Sequence, residues 1–377
     1  MEHNIWHITV PASIQAAVTE SKGAPFEIKS VELDDLRPDE VLVRVAAAGI
    51  CHTDLIIRDQ WYPVPLPAVL GHEGAGVVEA VGAAVTKVAP GDHVAMSYGS
   101  CGLCPKCAAG KPSNCHDFFG RNFGATRPDG STALRHEGRE IHSHFFGQSS
   151  FATYAVATER NVVKLDPSVP LDVVAPFGCG IQTGAGAVLN VFRPHAGASI
   201  AVFGTGTVGI AAILAARVAG CTTIIGVDVK PARLELASEL GATQVVNAAD
   251  GDPVEAVQEL TGGLGADFSI DATGSPQVLQ QAVYCTGPGG VCGLIGAPPF
   301  GTEVSLDMNE ILTAGRTLRG IVEGDSVPDV FLPVLIELWQ QGRFPIDRIM
   351  THYEFADIER AAHDAETGAV VKPVLRM

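Results

Sequence analysis

The chain has 377 residues, more than one hydrophobic core usually supports, so two domains are the default. Hydrophobic residues make up 46%, with 42 Gly and 24 Pro, which suits an α/β protein with many tight turns. A formal net charge of -17, with no basic run to offset it, excludes nucleic acid and anionic membranes as partners.

The first residues, MEHNIWHITVPASIQAAVTE, lack a charged segment followed by an apolar one, so no secretory leader is read. No stretch has the length and apolarity of a membrane span. Nine cysteines are an odd number for a disulfide framework; reduced, metal-binding thiols in the cytoplasm fit better.

Residues 25–95 show short apolar runs between turn residues. EVLVRVAAAGI (40–50), GAGVVEAVG (74–82) and PGDHVAM (90–96) predict a small β-rich domain. The stretch 101–150 lacks periodicity and reads as a metal-tied lobe with surface loops. It contains Cys101, Cys104, Cys107 and Cys115, a C-x2-C-x2-C-x7-C run able to close a four-sulfur shell around one zinc ion. Such a shell has no open position, so the chemistry must lie elsewhere.

The pattern changes near residue 182. SIAVFG (199–204) predicts a buried strand, TGTVGIAAILAARVAG a helix and TTIIGVD (222–228) a second strand. PARLELASEL follows as a helix, with Pro at its first turn and Gly241 beyond its end. Strand-like TQVVN, DFSIDAT, GVCGLIG and LRGIVEG alternate with helix-like VEAVQEL and PQVLQQAVY, which predicts a doubly wound parallel sheet. A helix, DVFLPVLIELWQQG, and a strand, VVKPVLRM, complete the chain.

Gly204, Gly206 and Gly209 form G-x-G-x-x-G between a strand and a helix, the context in which this motif binds a pyrophosphate at a helix N-terminus. Asp228 ends the next strand; a carboxylate there accepts from both ribose hydroxyls of NAD and repels a 2′-phosphate, so NAD is favoured over NADP. Cys51 in GICHTD, His72 in LGHEGAG and Cys179 in GCGIQTGAG are candidate ligands of a catalytic zinc, although spacing alone does not bring them together. Cys221, Cys285 and Cys292 lie in strand or helix patterns and read as inert core residues.

GICHTD, LGHEGAGVVEAVG, the four-cysteine run, GCGIQTGAG and GTGTVG resemble, in order and spacing, the zinc-dependent medium-chain alcohol dehydrogenases, from about residue 18 to the end. CHTDLIIRDQWYPVPLPAVLGHEG, FFGRNFGA and HFFGQSSFATYAV resemble the bacterial aryl-alcohol branch of that family. The resemblance implies a GroES-like catalytic domain over 1–182 and 323–377, with the zinc lobe at 98–150, and a Rossmann NAD-binding domain over 183–322. It implies two zinc ions per chain, held by Cys51, His72 and Cys179 at the catalytic site and by the four-cysteine run at the structural one.

Further roles are implied in the same way. Asp54 orients His72, and Glu73 is placed to approach the metal during ligand exchange. Thr53 receives the alcohol proton as hydride passes from a zinc-bound alkoxide to NAD. The family's relay histidine is replaced here by Ile56, so the relay ends at the ribose and water or His52 substitutes. His52, Arg233 and Lys372 match positions that touch the cofactor's pyrophosphate or adenosine side. Thr183 matches a residue packing on the nicotinamide, Thr207 and Val208 lie in the phosphate loop, and Ile321 and Glu323 fall near backbone groups for the carboxamide. Ser97 stands where ethanol-preferring relatives carry an aromatic, which widens the substrate pocket; Ile56, Phe118, Phe145 and Phe146 are wall candidates or packing residues. The expected reaction is reversible oxidation of primary aromatic alcohols to aldehydes by a homodimer or homotetramer. The alternatives are an allylic terpene alcohol dehydrogenase of geraniol or perillyl type, or a catalytically silent dinucleotide-binding protein.

Overall fold

The computed structural model describes residues 11–377; residues 1–10, on which the absence of a leader was partly read, lie outside the described residues. The chain forms two compact units. The first runs to Ala109 and continues through Cys115–Cys179 and Met350–Met377; the second comprises Gly110–Asn114 and Gly180–Ile349.

The first unit is β-rich. Its seven-stranded sheet centres on Glu40–Gly49, whose Val41, Leu42 and Val43 are all fully buried. Gly74–Val81, Tyr154–Thr158 and Lys372–Arg376 pair with that strand, all antiparallel. His93–Met96 and Val162–Leu165 extend one side, and Met350–Glu354 lies parallel to Lys372–Arg376 on the other. A five-stranded sheet is ordered Ala68–Val69, Ser13–Thr19, Glu27–Leu33, Leu134–His136 and Arg139–Ile141. Val43, Val78, Val94, Met96, Phe145 and Phe151 share one core across this unit.

The second unit carries a six-stranded parallel sheet in the order Gln244–Asn247, Thr223–Asp228, Ser199–Phe203, Ala266–Asp271, Thr286–Leu294, Thr317–Gly320. These are the predicted strands, joined by the predicted helices Thr207–Ala219, Pro231–Leu240, Pro253–Leu260 and Pro276–Cys285. Strand order reverses at Ser199–Phe203, so the crevice at its carboxyl end is where a doubly wound sheet binds its ligand.

Two features differ from expectation. The stretch 101–150 holds regular pieces too short to leave a period: the helices Pro105–Ala108 and Phe118–Phe123 and a hairpin of two three-residue strands. Residues 323–349, expected with the first domain, belong to the second unit. The apolar helix Pro328–Gln340 buries Phe331, Leu332 and Leu335 there and packs on Gly180–Gly186, so a composition that reads as terminal helix is core of the sheet unit. No described helix is long and apolar enough to cross a membrane.

Candidate active site and metal centres

Within the first unit, Cys51 precedes the helix His52–Arg58, and Asp54 in its first turn reaches back to the Cys51 N–H at 2.9 Å, as in a capping box. The other Asp54 oxygen accepts from the Gly71 N–H at 3.1 Å and lies 2.8 Å from Nδ1 of His72. One fully buried carboxylate thus fixes the segments of two candidate ligands. Cys179 follows the turn Ala175–Gly178. One ligand atom from each of Cys51, His72 and Cys179 lies within 4.8 Å of the other two.

This geometry fits zinc. With Nδ1 turned to Asp54, the remaining nitrogen, Nε2, is buried and makes no hydrogen bond. The adjacent Cys179 sulfur and the His72 ring hold the Cys51 thiol well below its ordinary range, against the opposing effect of burial. A buried imidazole nitrogen beside two thiols, one of them acidified, is a three-ligand set that leaves a zinc ion one open position.

The four-cysteine cluster fits zinc in another way. The sulfurs of Cys101, Cys104, Cys107 and Cys115 also lie within 4.8 Å of one another. Cys115 Sγ accepts from the Cys101 N–H and Cys101 Sγ from the Cys104 N–H, each at 3.3 Å. Backbone N–H groups of His116 and Cys107 bring the Cys104 thiol down to about 6, while burial and its sulfur neighbours push Cys107 up to about 12. Four thiols at this separation cannot all ionise alone; a dication removes the conflict. Cys221, Cys285 and Cys292 are buried, and burial pushes Cys221 up to about 11 and Cys292 up to about 12.

Other residues are also placed by the first unit. Thr53 is half-buried, its Oγ1 3.8 Å from Cys51 Sγ. His52 is exposed and sits edge-on to Trp61, with ring centroids 6.1 Å apart. Ile56 is buried. Glu73 and Lys372 form a buried ion pair at 2.7 Å, and Lys372 Nζ also donates to the Ile50 carbonyl at 3.0 Å. These two polar contacts of Lys372 lie within the first unit. Ser97, expected to widen a pocket, is 1% exposed and donates its hydroxyl to the Gly178 carbonyl at 2.7 Å.

Aromatic rings crowd the His72 imidazole. Phe146 is tilted over it at 4.6 Å and Phe145 meets it edge-on at 5.4 Å. Phe123 packs on both, and Phe119 and Tyr62 pack on Phe123. Phe118 instead packs on Tyr98. Sequence reading did not single out Tyr62, Phe119 or Phe123; nothing in their local pattern separates a wall from a core. It also missed Gln148, a buried amide in HFFGQSS, and Asp271, a buried acid at the end of its strand.

In the second unit, Gly204 has a φ of +88°, and a Cβ on Gly209 would run into the Gly204 carbonyl. Gly206 caps the helix Thr207–Ala219, and a Cβ there would meet open space. A free cradle at a helix N-terminus is what a pyrophosphate needs. Val208 follows Thr207 in the helix's first turn. Asp228 accepts from the Thr205 N–H and hydroxyl at 2.8 and 2.9 Å, and from the Val229 and Lys230 N–H groups. Burial lowers the Arg233 guanidinium and Asp228 opposes that shift. Thr183 is buried in the helix Gly180–Gly186. Ile321 is buried with its N–H on the Leu294 carbonyl, and the buried Glu323 carboxylate accepts from Gln182 at 3.1 Å.

Two family models match the chain: an alcohol dehydrogenase GroES-like domain over residues 37–167 and a zinc-binding dehydrogenase over residues 207–340. A geraniol dehydrogenase of Castellaniella defragrans is 46% identical over 365 residues, covering 96% of this chain and 97% of the relative. A solved benzyl alcohol dehydrogenase from Acinetobacter calcoaceticus superposes with a TM-score of 0.94 at 48% identity, covering 97% of this chain and 99% of that one. An alcohol dehydrogenase zinc-binding domain protein from Burkholderia ambifaria gives 0.95 at 53% identity, with the same coverage. With both its units matched and both its thiol sites suited to zinc, the chain belongs to the zinc-binding medium-chain alcohol dehydrogenases.

Proposed function

We propose that this enzyme oxidises primary aromatic, benzyl-type alcohols to aldehydes with NAD, reversibly. The aromatic assignment rests on the cluster of rings packed around His72, with Phe146 at 4.6 Å, Phe145 at 5.4 Å and Phe123 against both, read as the side of the site an aromatic substrate would meet. Offset and edge-on ring pairs are favourable beyond the area they bury, so an aromatic wall favours a planar ring over a short alkyl chain. Likeness to the Acinetobacter benzyl alcohol dehydrogenase supports the same reading.

Bound at Cys51, His72 and Cys179, zinc supplies Lewis-acid polarisation of a hydroxyl oxygen. The chain's own residues do the rest. Asp54 holds Nδ1 of His72 and leaves Nε2 as the ligand atom. Thr53 Oγ1 takes the hydroxyl proton. Ile56 has no group that could accept it onward; with a cofactor bound, the ribose and water, or His52, would be the acceptors. The Gly204–Gly209 loop binds pyrophosphate and Asp228 the ribose hydroxyls, which selects NAD. The reduced cysteines support a cytoplasmic setting, and the exposed edge strand Thr317–Gly320 supports assembly of like chains by strand pairing.

A second reading, an allylic terpene alcohol dehydrogenase, is favoured by the Castellaniella geraniol dehydrogenase. Steady-state kcat/KM over benzyl alcohol, geraniol, perillyl alcohol and ethanol, each with NAD and NADP, separates them. Benzyl alcohol with NAD is expected to rank first. Geraniol or perillyl alcohol ahead of it selects the second reading. Ethanol equal to benzyl alcohol removes both, and equal use of NADP removes the ribose role of Asp228.

A further inference from the structure

Asp54 couples the segments of Cys51 and His72, and the structure contains a second coupling that reaches Cys179. Gln148 is 1% exposed and lies in Ser143–Ser149, where His144, Phe146 and Ser149 have φ of 69°, 50° and 49°. Three non-glycine residues in the left-handed region cost energy and persist only where surrounding contacts hold them. The Gln148 amide uses both ends. Oε1 accepts from the Gly74 N–H at 3.0 Å, and Nε2 donates to the His72 carbonyl at 3.0 Å and to the Ser97 carbonyl at 3.3 Å.

Ser97 is held on its main chain from a second direction. Its N–H donates to the Asn161 carbonyl at 2.8 Å, and its carbonyl accepts from Asn161 Nδ2 at 3.2 Å. The Ser97 hydroxyl then gives its one proton to the Gly178 carbonyl, which belongs to the peptide unit leading into Cys179. Close backbone approach makes this possible: a Cβ on Gly178 would collide with the Met96 carbonyl, and one on Gly74 would crowd Gln148 Oε1 at 3.1 Å.

We propose that Gln148 and Ser97 are positioning residues of the Cys51–His72–Cys179 metal centre, forming a buried hydrogen-bonded path that fixes Cys179 relative to His72. Each group on the path is desolvated and engaged, so removing one partner leaves a buried polar group unpaired and lets the ligand segment shift. The same segment packs Phe145 and Phe146 on the His72 ring, so this path also sets where the aromatic wall stands.

The test reads the metal and uses no alcohol, so its outcome is independent of the substrate assignment. Ser97→Ala removes only the hydroxyl, and Gln148→Met keeps length while removing the amide. In the zinc-loaded full chain, release of zinc to a chromogenic chelator should show two phases. Either substitution is expected to speed catalytic zinc release about tenfold, at the lower end of what outer-shell partners contribute to metal affinity. The structural zinc should leave at its wild-type rate, and cobalt at the catalytic site should show shifted d–d bands. Wild-type release with an unchanged cobalt spectrum in both variants overturns the proposal. So does equal acceleration of both zinc phases, which marks general loosening. If Ser97→Ala does not fold, Gln148→Met is judged by the same criteria.

Discussion

Cys101, Cys104, Cys107 and Cys115 come from a single run of residues, while Cys51, His72 and Cys179 come from three separate segments of the first unit. In the run, sulfurs are organised by neighbouring backbone N–H groups, such as those of Cys101 and Cys104. In the dispersed set, side chains that bridge segments do that work: Asp54, three residues from Cys51, also holds His72, and Gln148 bonds the His72 carbonyl. The local site carries its own geometry. The dispersed site borrows geometry from the β-rich core, and can therefore leave one metal position open without losing shape.

The sharpest way to break this contrast is Cys51→Ser. Loss of an outer-shell partner alone costs about 10–100-fold in metal affinity or activity, so loss of a ligand should lower kcat/KM by more than about 100-fold. Zinc per chain should fall from two to one, with the circular dichroism of the folded protein retained. Retained activity would remove Cys51 from the site.

A smaller effect is expected for Asp54→Asn. The amide can keep one contact to Nδ1 of His72 or to the Cys51 N–H, but it loses the charge that orients the imidazole and raises its basicity. Catalytic zinc affinity and kcat/KM should both drop by about 10–100-fold. Structural zinc should be unaffected. An unchanged affinity would show that the fold alone, without this carboxylate, positions His72.

The same contrast explains what could be read from sequence. The C-x2-C-x2-C-x7-C spacing is itself a near-complete description of its site, because the turns that close it are local. The parallel sheet was equally readable, since each strand–helix alternation, from SIAVFG to GVCGLIG, is a local periodicity that tertiary packing did not override. Cys51, His72 and Cys179 were placed together only through family resemblance. Gln148 was unreadable because its role lies in three long-range bonds to Gly74, His72 and Ser97. Ser97 was read by side-chain size, whereas its hydroxyl is what the structure uses. The helix Pro328–Gln340 lies in the second unit, a placement that its apolar face alone does not specify, because such a face does not say which core it enters.

Cys104→Ser should have the smallest effect on catalysis and a clear one on stability. Cys104 Sγ is the thiol most strongly acidified by backbone N–H groups in the run, brought down to about 6 by those of His116 and Cys107. A serine oxygen cannot replace that thiolate, so the structural zinc should leave and the lobe should lose its closure. The four sulfurs of the run form a cluster of their own, separate from the group Cys51, His72 and Cys179. Because the dispersed site draws its geometry from the sheet, kcat/KM of the folded fraction should stay within about threefold of wild type, a change of less than 1 kcal/mol. A stability loss of about 3 kcal/mol would lower Tm by roughly 4 °C in a chain of 377 residues. Differential scanning calorimetry with zinc analysis checks both. Loss of activity in step with the structural zinc would show that the two metal centres share one cooperative structure.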